Sequence, residues 1–128
     1  MLTSRSRCHA ARRRSLPSMM SVQGDSATRL LTADLELGTR VVRVEHPGRG
    51  HTDHDLVVVV APGGPTERTV VFCGDLVEES ADPAIDAGSD VAAWPRTLDR
   101  VLALGGRDAV YVPGHGAAVD ADFVLRQR

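Results

Sequence analysis

Short apolar runs alternate with Gly/Pro-punctuated breaks along the chain, and the runs differ in period. Residues 21–39 are mixed, with apolar positions at Leu30, Leu31, Leu35 and Leu37 and a break at Gly38. From Arg40 to His46 the pattern alternates: Val42 and Val44 share one face, Arg43 and Glu45 the other. Period two predicts a half-buried strand. Pro47-Gly48-Arg49-Gly50 reads as a loop. Leu56 to Val60 and Thr69 to Cys73 are continuous, mostly β-branched runs, which predicts two buried strands. The turn Pro62-Gly63-Gly64-Pro65 between them predicts a hairpin.

Gly74 to Asp90 is acidic and punctuated by Pro and Gly, and reads as a long loop. Loops of that length are uncommon unless functional. Val91, Trp94, Leu98, Val101 and Leu102 then recur at helical spacing, predicting a helix over about 91–104. Ser89 or Asp90 caps its start, Pro95 falls in its first turn, and Gly105-Gly106 stops it. Ala109 to Val112 is a short strand and Pro113-Gly114-His115-Gly116 a tight turn. Asp120 caps a last short helix through Phe123, Val124 and Arg126. The result is an α/β (α+β) architecture. It has one mixed sheet, built on a hairpin and a βαβ crossover, with flanking helices.

Composition sharpens this picture in three places. The 128 residues suffice for one domain, and the apolar content of 42% supports a core. Aromatics make up only 3%, so that core is Val, Leu and Ala, with Trp94 and Phe72 as its expected large members. The net charge of −2 is asymmetric. Arg5, Arg7, Arg12, Arg13 and Arg14 give residues 1–20 a charge of +5 with no acid, leaving −7 on the remainder. An acidic body argues against nucleic acid as a general partner.

Residues 1–20 are read as a disordered Arg-rich segment, ahead of a domain over 21–128. Their composition also suits a transit peptide, a nucleic-acid or membrane-binding arm, or codons upstream of a start at Met19 or Met20. They lack the apolar stretch of a secretory signal. No apolar run approaches the ~20 residues of a membrane span, and a cytoplasmic location is expected. Cys8 and Cys73 make no disulfide framework.

The chemistry sits at the strand ends. In a hairpin, the start of one strand lies beside the end of the next. His51, ahead of the first buried strand, is therefore expected beside Asp75, which follows the second. The crossover makes the strand at 109–112 parallel to the strand at 69–73. His115 then emerges at the same sheet edge, where neighbouring strands lie ~4.8 Å apart. Two imidazoles and a carboxylate suit zinc, iron or manganese. Such a metal activates water and polarises a carbonyl. Other polar groups have milder readings. Asp53 is a turn and supporting group, and Cys73 a small buried residue behind the ligands. His54 and His46 are rim residues, His54 being the candidate to touch substrate. Glu78, Glu79 and Asp82 form a charge run on a solvated or substrate-facing loop.

Three segments carry a resemblance. Gly48-Arg49-Gly50-His51-Thr52-Asp53, Phe72-Cys73-Gly74-Asp75 and Val112-Pro113-Gly114-His115-Gly116 resemble, in order and spacing, the later metal motifs of the metallo-β-lactamase superfamily. The resemblance covers about residues 28–128. It implies the C-terminal half of an αββα sandwich. It also implies His51 and His115 as metal ligands, with Asp75 as a bridging ligand and catalytic residue. The activity implied is metal-dependent hydrolysis of an ester, thioester or amide-type bond in a small molecule by activated water. The superfamily's His-x-His-x-Asp-His loop does not occur in these 128 residues. The expectation is therefore a truncated domain with one uncovered sheet face, completed by a partner chain or oligomer. The alternative is a catalytically incomplete fragment, or a binding protein using its Arg-rich tail.

Overall fold

A computed structural model describes residues 32–128. The Arg-rich segment 1–20 and the apolar positions Leu30 and Leu31 lie outside the described residues. Five strands form one mixed sheet in sequence order: β1 (Thr32–Leu37), β2 (Arg40–Glu45), β3 (Val57–Val60), β4 (Val70–Glu78) and β5 (Val110–His115). Helix α1 (Trp94–Gly105) connects β4 to β5, and α2 (Ala121–Gln127) follows β5. The first four strands are antiparallel neighbours; β4 and β5 pair in parallel. The expected hairpin is β3–β4 and the expected crossover is β4–α1–β5. No helix among the described residues is long and apolar enough to cross a membrane.

The core lies between the sheet and the two helices. Val57, Val71, Cys73 and Tyr111 point from the strands toward Trp94, Leu98 and Val101 of α1 and Val124 of α2. Helix α1 buries Trp94, Thr97, Leu98 and Val101, spaced three or four residues apart, which is one helical face. The Trp94 indole Nε1–H donates to the Leu76 carbonyl at 3.0 Å, so its polar edge is satisfied inside the core. The Tyr111 hydroxyl donates to the Gly106 carbonyl at 2.8 Å, tying β5 to the end of α1. Asp120 caps α2 as expected, accepting from the Phe123 amide at 2.8 Å.

The opposite face carries Val42, Val44, Val58, Val60, Phe72 and Val112, which the strand registers place side by side. None of the six is buried, and neither described helix packs on them. Phe72 is 46% exposed, which corrects its assignment to the core. Period two decides the matter: Val71 and Cys73 take the helix side, so Phe72 faces away.

Element boundaries differ in four places. Thr32–Leu37 is a strand rather than mixed sequence, paired to β2 through a two-residue turn that Gly38 enters at φ +66°. Helix α1 begins at Trp94 rather than near Val91; Asp90 caps the turn before it, accepting from the Ala93 amide at 2.9 Å. Strand β4 does not stop at Cys73 but runs to Glu78, which shortens the acidic loop. Strand β5 continues through Pro113-Gly114 to His115, three residues past the expected end, and the chain turns only at Gly116 with φ +100°.

The two faces make a test. Leu98 is 1% exposed against Phe72 at 46%. Leu98→Ala should cost about 2–5 kcal/mol of unfolding free energy. Phe72→Ala should cost less, about 1–2 kcal/mol, because nearly half of the side chain already meets solvent. Urea unfolding of both variants checks this; equal losses would contradict the assignment of the core to one face.

Candidate metal centre

Asp75 owes its position to an irregularity in the β4–β5 ladder. Gly74 pairs with Pro113 and Glu78 with His115. Between those pairs β4 has Asp75, Leu76 and Val77 where β5 has Gly114 alone. The surplus bulges β4, and Gly74 takes φ +55° at the bend. The bulge lays the Asp75 carboxylate against the Cα of Gly114. A Cβ at Gly114 would collide with Asp75 Oδ1. The glycine therefore clears the space the carboxylate occupies.

His51 is held from the other side. Its loop is strapped to α1 and to the segment before it. Thr97 Oγ1 donates to the Arg49 carbonyl at 2.6 Å, and Arg100 donates to the Pro47 carbonyl at 2.8 Å. Ser89 Oγ donates to the His51 carbonyl at 2.9 Å, and the Asp90 amide to the Gly50 carbonyl at 2.8 Å. Asp55 folds the loop back by accepting from the Thr52 amide and hydroxyl, both at 2.8 Å. Gly50 has no room for a side chain: a Cβ would stand 2.6 Å from Leu76 and 3.1 Å from Trp94.

The imidazole contacts decide the chemistry. His51 Nδ1 lies 3.1 Å from the Ala84 carbonyl. A carbonyl only accepts, so Nδ1 carries the hydrogen and Nε2 of the neutral ring presents its lone pair. That Nε2 stands 3.6 Å from Asp75 Oδ2. Two acceptors thus face each other across a gap that suits a cation or a second proton. The other oxygen, Asp75 Oδ1, lies 3.5 Å from His115 Nδ1. One carboxylate therefore points one oxygen at each imidazole. His51, Asp75 and His115 meet at one sheet edge, although Asp75 and His115 lie within strands rather than after them.

Glu78 joins them, and sequence reasoning missed it. The sequence pattern puts it on a solvated or substrate-facing loop with Glu79 and Asp82; it is instead the last residue of β4, 8% exposed. Its Oε2 accepts from His115 Nδ1 at 2.7 Å, and its Oε1 accepts from Ser80 Oγ at 2.7 Å and the Ser80 amide at 3.2 Å. Ligand-type atoms of Asp75, Glu78 and His115 all lie within 4.8 Å of one another. The apolar pair Leu76-Val77 after Asp75 was the available signal, since it extends the strand pattern past the glycine. Glu79 serves the next turn, accepting from the Ala117 amide at 2.8 Å.

Other candidates lie further out. Asp53 and His54 pair with each other at 2.7 Å, with side chains 67% and 83% exposed. Asp53 is held below the usual carboxylate range chiefly by that hydrogen bond. Cys73 is buried, its thiol near the Val71 carbonyl at 3.5 Å. Burial pushes that thiol up to about 12, so it stays protonated at neutral pH. His46 Nδ1 donates to the Asp55 carbonyl at 2.7 Å.

The His115–Glu78 contact also sets a pH dependence. The Glu78 hydrogen bond, then its charge and that of Asp75, raises His115 above its ordinary value. Ser80 first, then His115, holds Glu78 below the carboxylate range. The stability His115 contributes is fully present below its ordinary value and is lost as pH rises through the raised one. The Glu78 contribution is present above the ordinary carboxylate value and is lost as pH falls through the depressed one. In an NMR titration of the metal-free chain, His115 should titrate above ~6.5, and Glu78→Gln should bring it back down. A midpoint at or below ~6.5 in the unmutated chain would contradict the contact.

No family model matches the chain. Two curated relatives do, both named metallo-beta-lactamase type 2. The protein from Bacteroides fragilis is 37% identical over 71 residues, 54% of this chain and 26% of its own length. The protein from Bacillus cereus is 28% identical over 94 residues, 72% of this chain and 35% of its own length. Among solved structures, a metallo-β-lactamase from Pontibacter korlensis aligns with a TM-score of 0.62 at 27% identity, covering 73% of this chain and 42% of that one. The DIM-1 metallo-β-lactamase aligns with a TM-score of 0.61 at 23% identity, covering 75% and 42%. The chain spans about a quarter to a third of the length of the curated relatives it matches. Sequence relatives and solved structures point the same way: the chain has the metallo-β-lactamase fold, over a part that corresponds to a fragment of its longer relatives.

Proposed function

We propose that this chain carries part of the metal site of a metal-dependent hydrolase, with His51, Asp75 and His115 as ligands. One observation carries the reading: Asp75 presents one oxygen to each of two imidazoles. The donor set fits a divalent ion such as zinc, iron or manganese. His51 is held with Nε2 bare by a backbone carbonyl, the kind of support that orients metal-ligating histidines. When bound, the metal supplies Lewis acidity toward a carbonyl and lowers the pKa of water.

The chain's own residues have separable tasks in this reading. Asp75 holds the two imidazoles at a fixed spacing and is the catalytic carboxylate. The Ala84 carbonyl fixes the His51 ring, and the Gly114 backbone leaves room for Asp75. His54, exposed and paired to Asp53, is the residue we assign to contact with a small-molecule substrate. The bond cleaved is of the ester, thioester or amide type. The uncovered valine face supports a further element of the reading: a second layer, from another segment or a partner chain, closes the sandwich over it.

Metal content and hydrolysis test the proposal. The purified chain should retain zinc, iron or manganese near stoichiometrically after dialysis, measured by elemental analysis. Asp75→Asn and His51→Ala should each weaken zinc by at least about tenfold. They should also abolish any hydrolysis of activated esters, thioesters and β-lactams. Metal below about 0.1 equivalents in the unmutated chain, with all three metals offered, would overturn the proposal.

A further inference from the structure

Glu78 belongs to none of the three motifs that carry the resemblance, yet it is the most buried carboxylate beside Asp75 and His115. Burying a carboxylate is costly unless hydrogen bonds or opposite charge compensate it. Glu78 has three hydrogen-bond donors, but they are unevenly shared. Ser80 gives two to Oε1, whereas Oε2 receives only the His115 ring hydrogen. A carboxylate has about four lone-pair sites, so Oε2 retains one. The charge is also unbalanced. Asp75 and Glu78 set two carboxylates against the single imidazole of His115, and no arginine is paired with either carboxylate among the described residues.

We propose that Glu78 is itself a metal ligand. With Asp75 and His115 it forms a three-residue cation site on the ends of β4 and β5, for zinc, manganese or iron. The inference rests on reading Asp75 and His115 as ligands, and it adds a carboxylate that the resemblance does not assign. Distances support it. Bonds of 2.0–2.2 Å in a tetrahedral site set neighbouring ligand atoms ~3.4 Å apart. Asp75 Oδ1 and His115 Nδ1 already stand at 3.5 Å. Glu78 Oε2 and His115 Nδ1 stand at 2.7 Å across a shared proton; a cation replacing that proton would part them to about 3.4 Å.

A second contact, from a separate element, also leaves room for a cation at the same carboxylate. The bare Nε2 of His51, from the loop before β3, faces the other oxygen of Asp75. The third ligand matters for the count. His115 and Asp75 alone give two protein ligands on that side, whereas catalytic zinc sites have three.

The alternative role is purely positional: Glu78 would hold the His115 ring and never touch the metal. Glutamine separates the two. Glu78→Gln keeps the shape and the carbonyl acceptor for His115 and Ser80, but it removes the charge and most of the ligand strength. The test is a cobalt(II) titration of the full chain, followed by visible absorption, with zinc(II) competition against a chromophoric chelator. Far-UV circular dichroism of each metal-free variant controls for folding.

Glu78→Gln and Glu78→Ala should both weaken cobalt and zinc by at least about tenfold. Wild-type affinity in Glu78→Gln overturns the proposal and leaves the Asp75–His115 reading standing. No binding to the unmutated chain overturns both. A measurement on the unmutated chain does not depend on a variant folding. Zinc should shift the side-chain carboxylate carbon resonance of Glu78 together with the ring resonances of His115. A shift in His115 alone overturns the proposal.

Discussion

The bulge that brings Asp75 over Gly114 is the constraint on which the site depends. Parallel pairing of β4 and β5 places their ends at one sheet edge, but regular pairing would spread the side chains along the strands. Three residues of β4 against one of β5 change that. The bend at Gly74 turns the Asp75 carboxylate across the neighbouring strand, and the bare Cα of Gly114 receives it. Both oxygens become accessible as a consequence, one toward His51 and one toward His115. The bulge also returns the chain to register at Glu78, which puts a second carboxylate beside His115.

The helix side of the sheet makes this edge rigid. Trp94 fills the space under Gly50 and bonds the Leu76 carbonyl, so the core that stabilises the fold also packs against the bulge. Thr97 and Arg100 reach from α1 to the loop that carries His51. The ring of His51 lies 6.1 Å from that of Trp94, centroid to centroid, and its tautomer is set by a backbone carbonyl from the loop after β4. Packing, loop geometry and tautomer are thus coupled.

Much of this was legible in the sequence, and what was not has definite physical causes. Strand ends and the βαβ rule brought His51, Asp75 and His115 to one edge, because that argument needs only topology. It did not find Glu78. A continuous strand broken by a glycine looks like a strand followed by a loop, and pattern alone does not distinguish a bulge from an ending. Phe72 was misplaced for a related reason. In a run of apolar residues, hydrophobicity does not say which positions face the helix, and only pairing with Val58 fixes the side. Thr32–Leu37 escaped because its apolar positions sit in an acidic, exposed setting; β2 stabilises it as an edge strand rather than burial.

The Asp75 carboxylate lies between two imidazoles, one of which it shares with Glu78. The most direct measurement is anomalous scattering from a crystal of the chain grown with zinc. A zinc peak is expected within bonding distance of Asp75, with His115 and Glu78 on one side of the carboxylate or His51 on the other completing its protein ligands. Zinc bound only at surface histidines such as His54, with Asp75 bare, would contradict it.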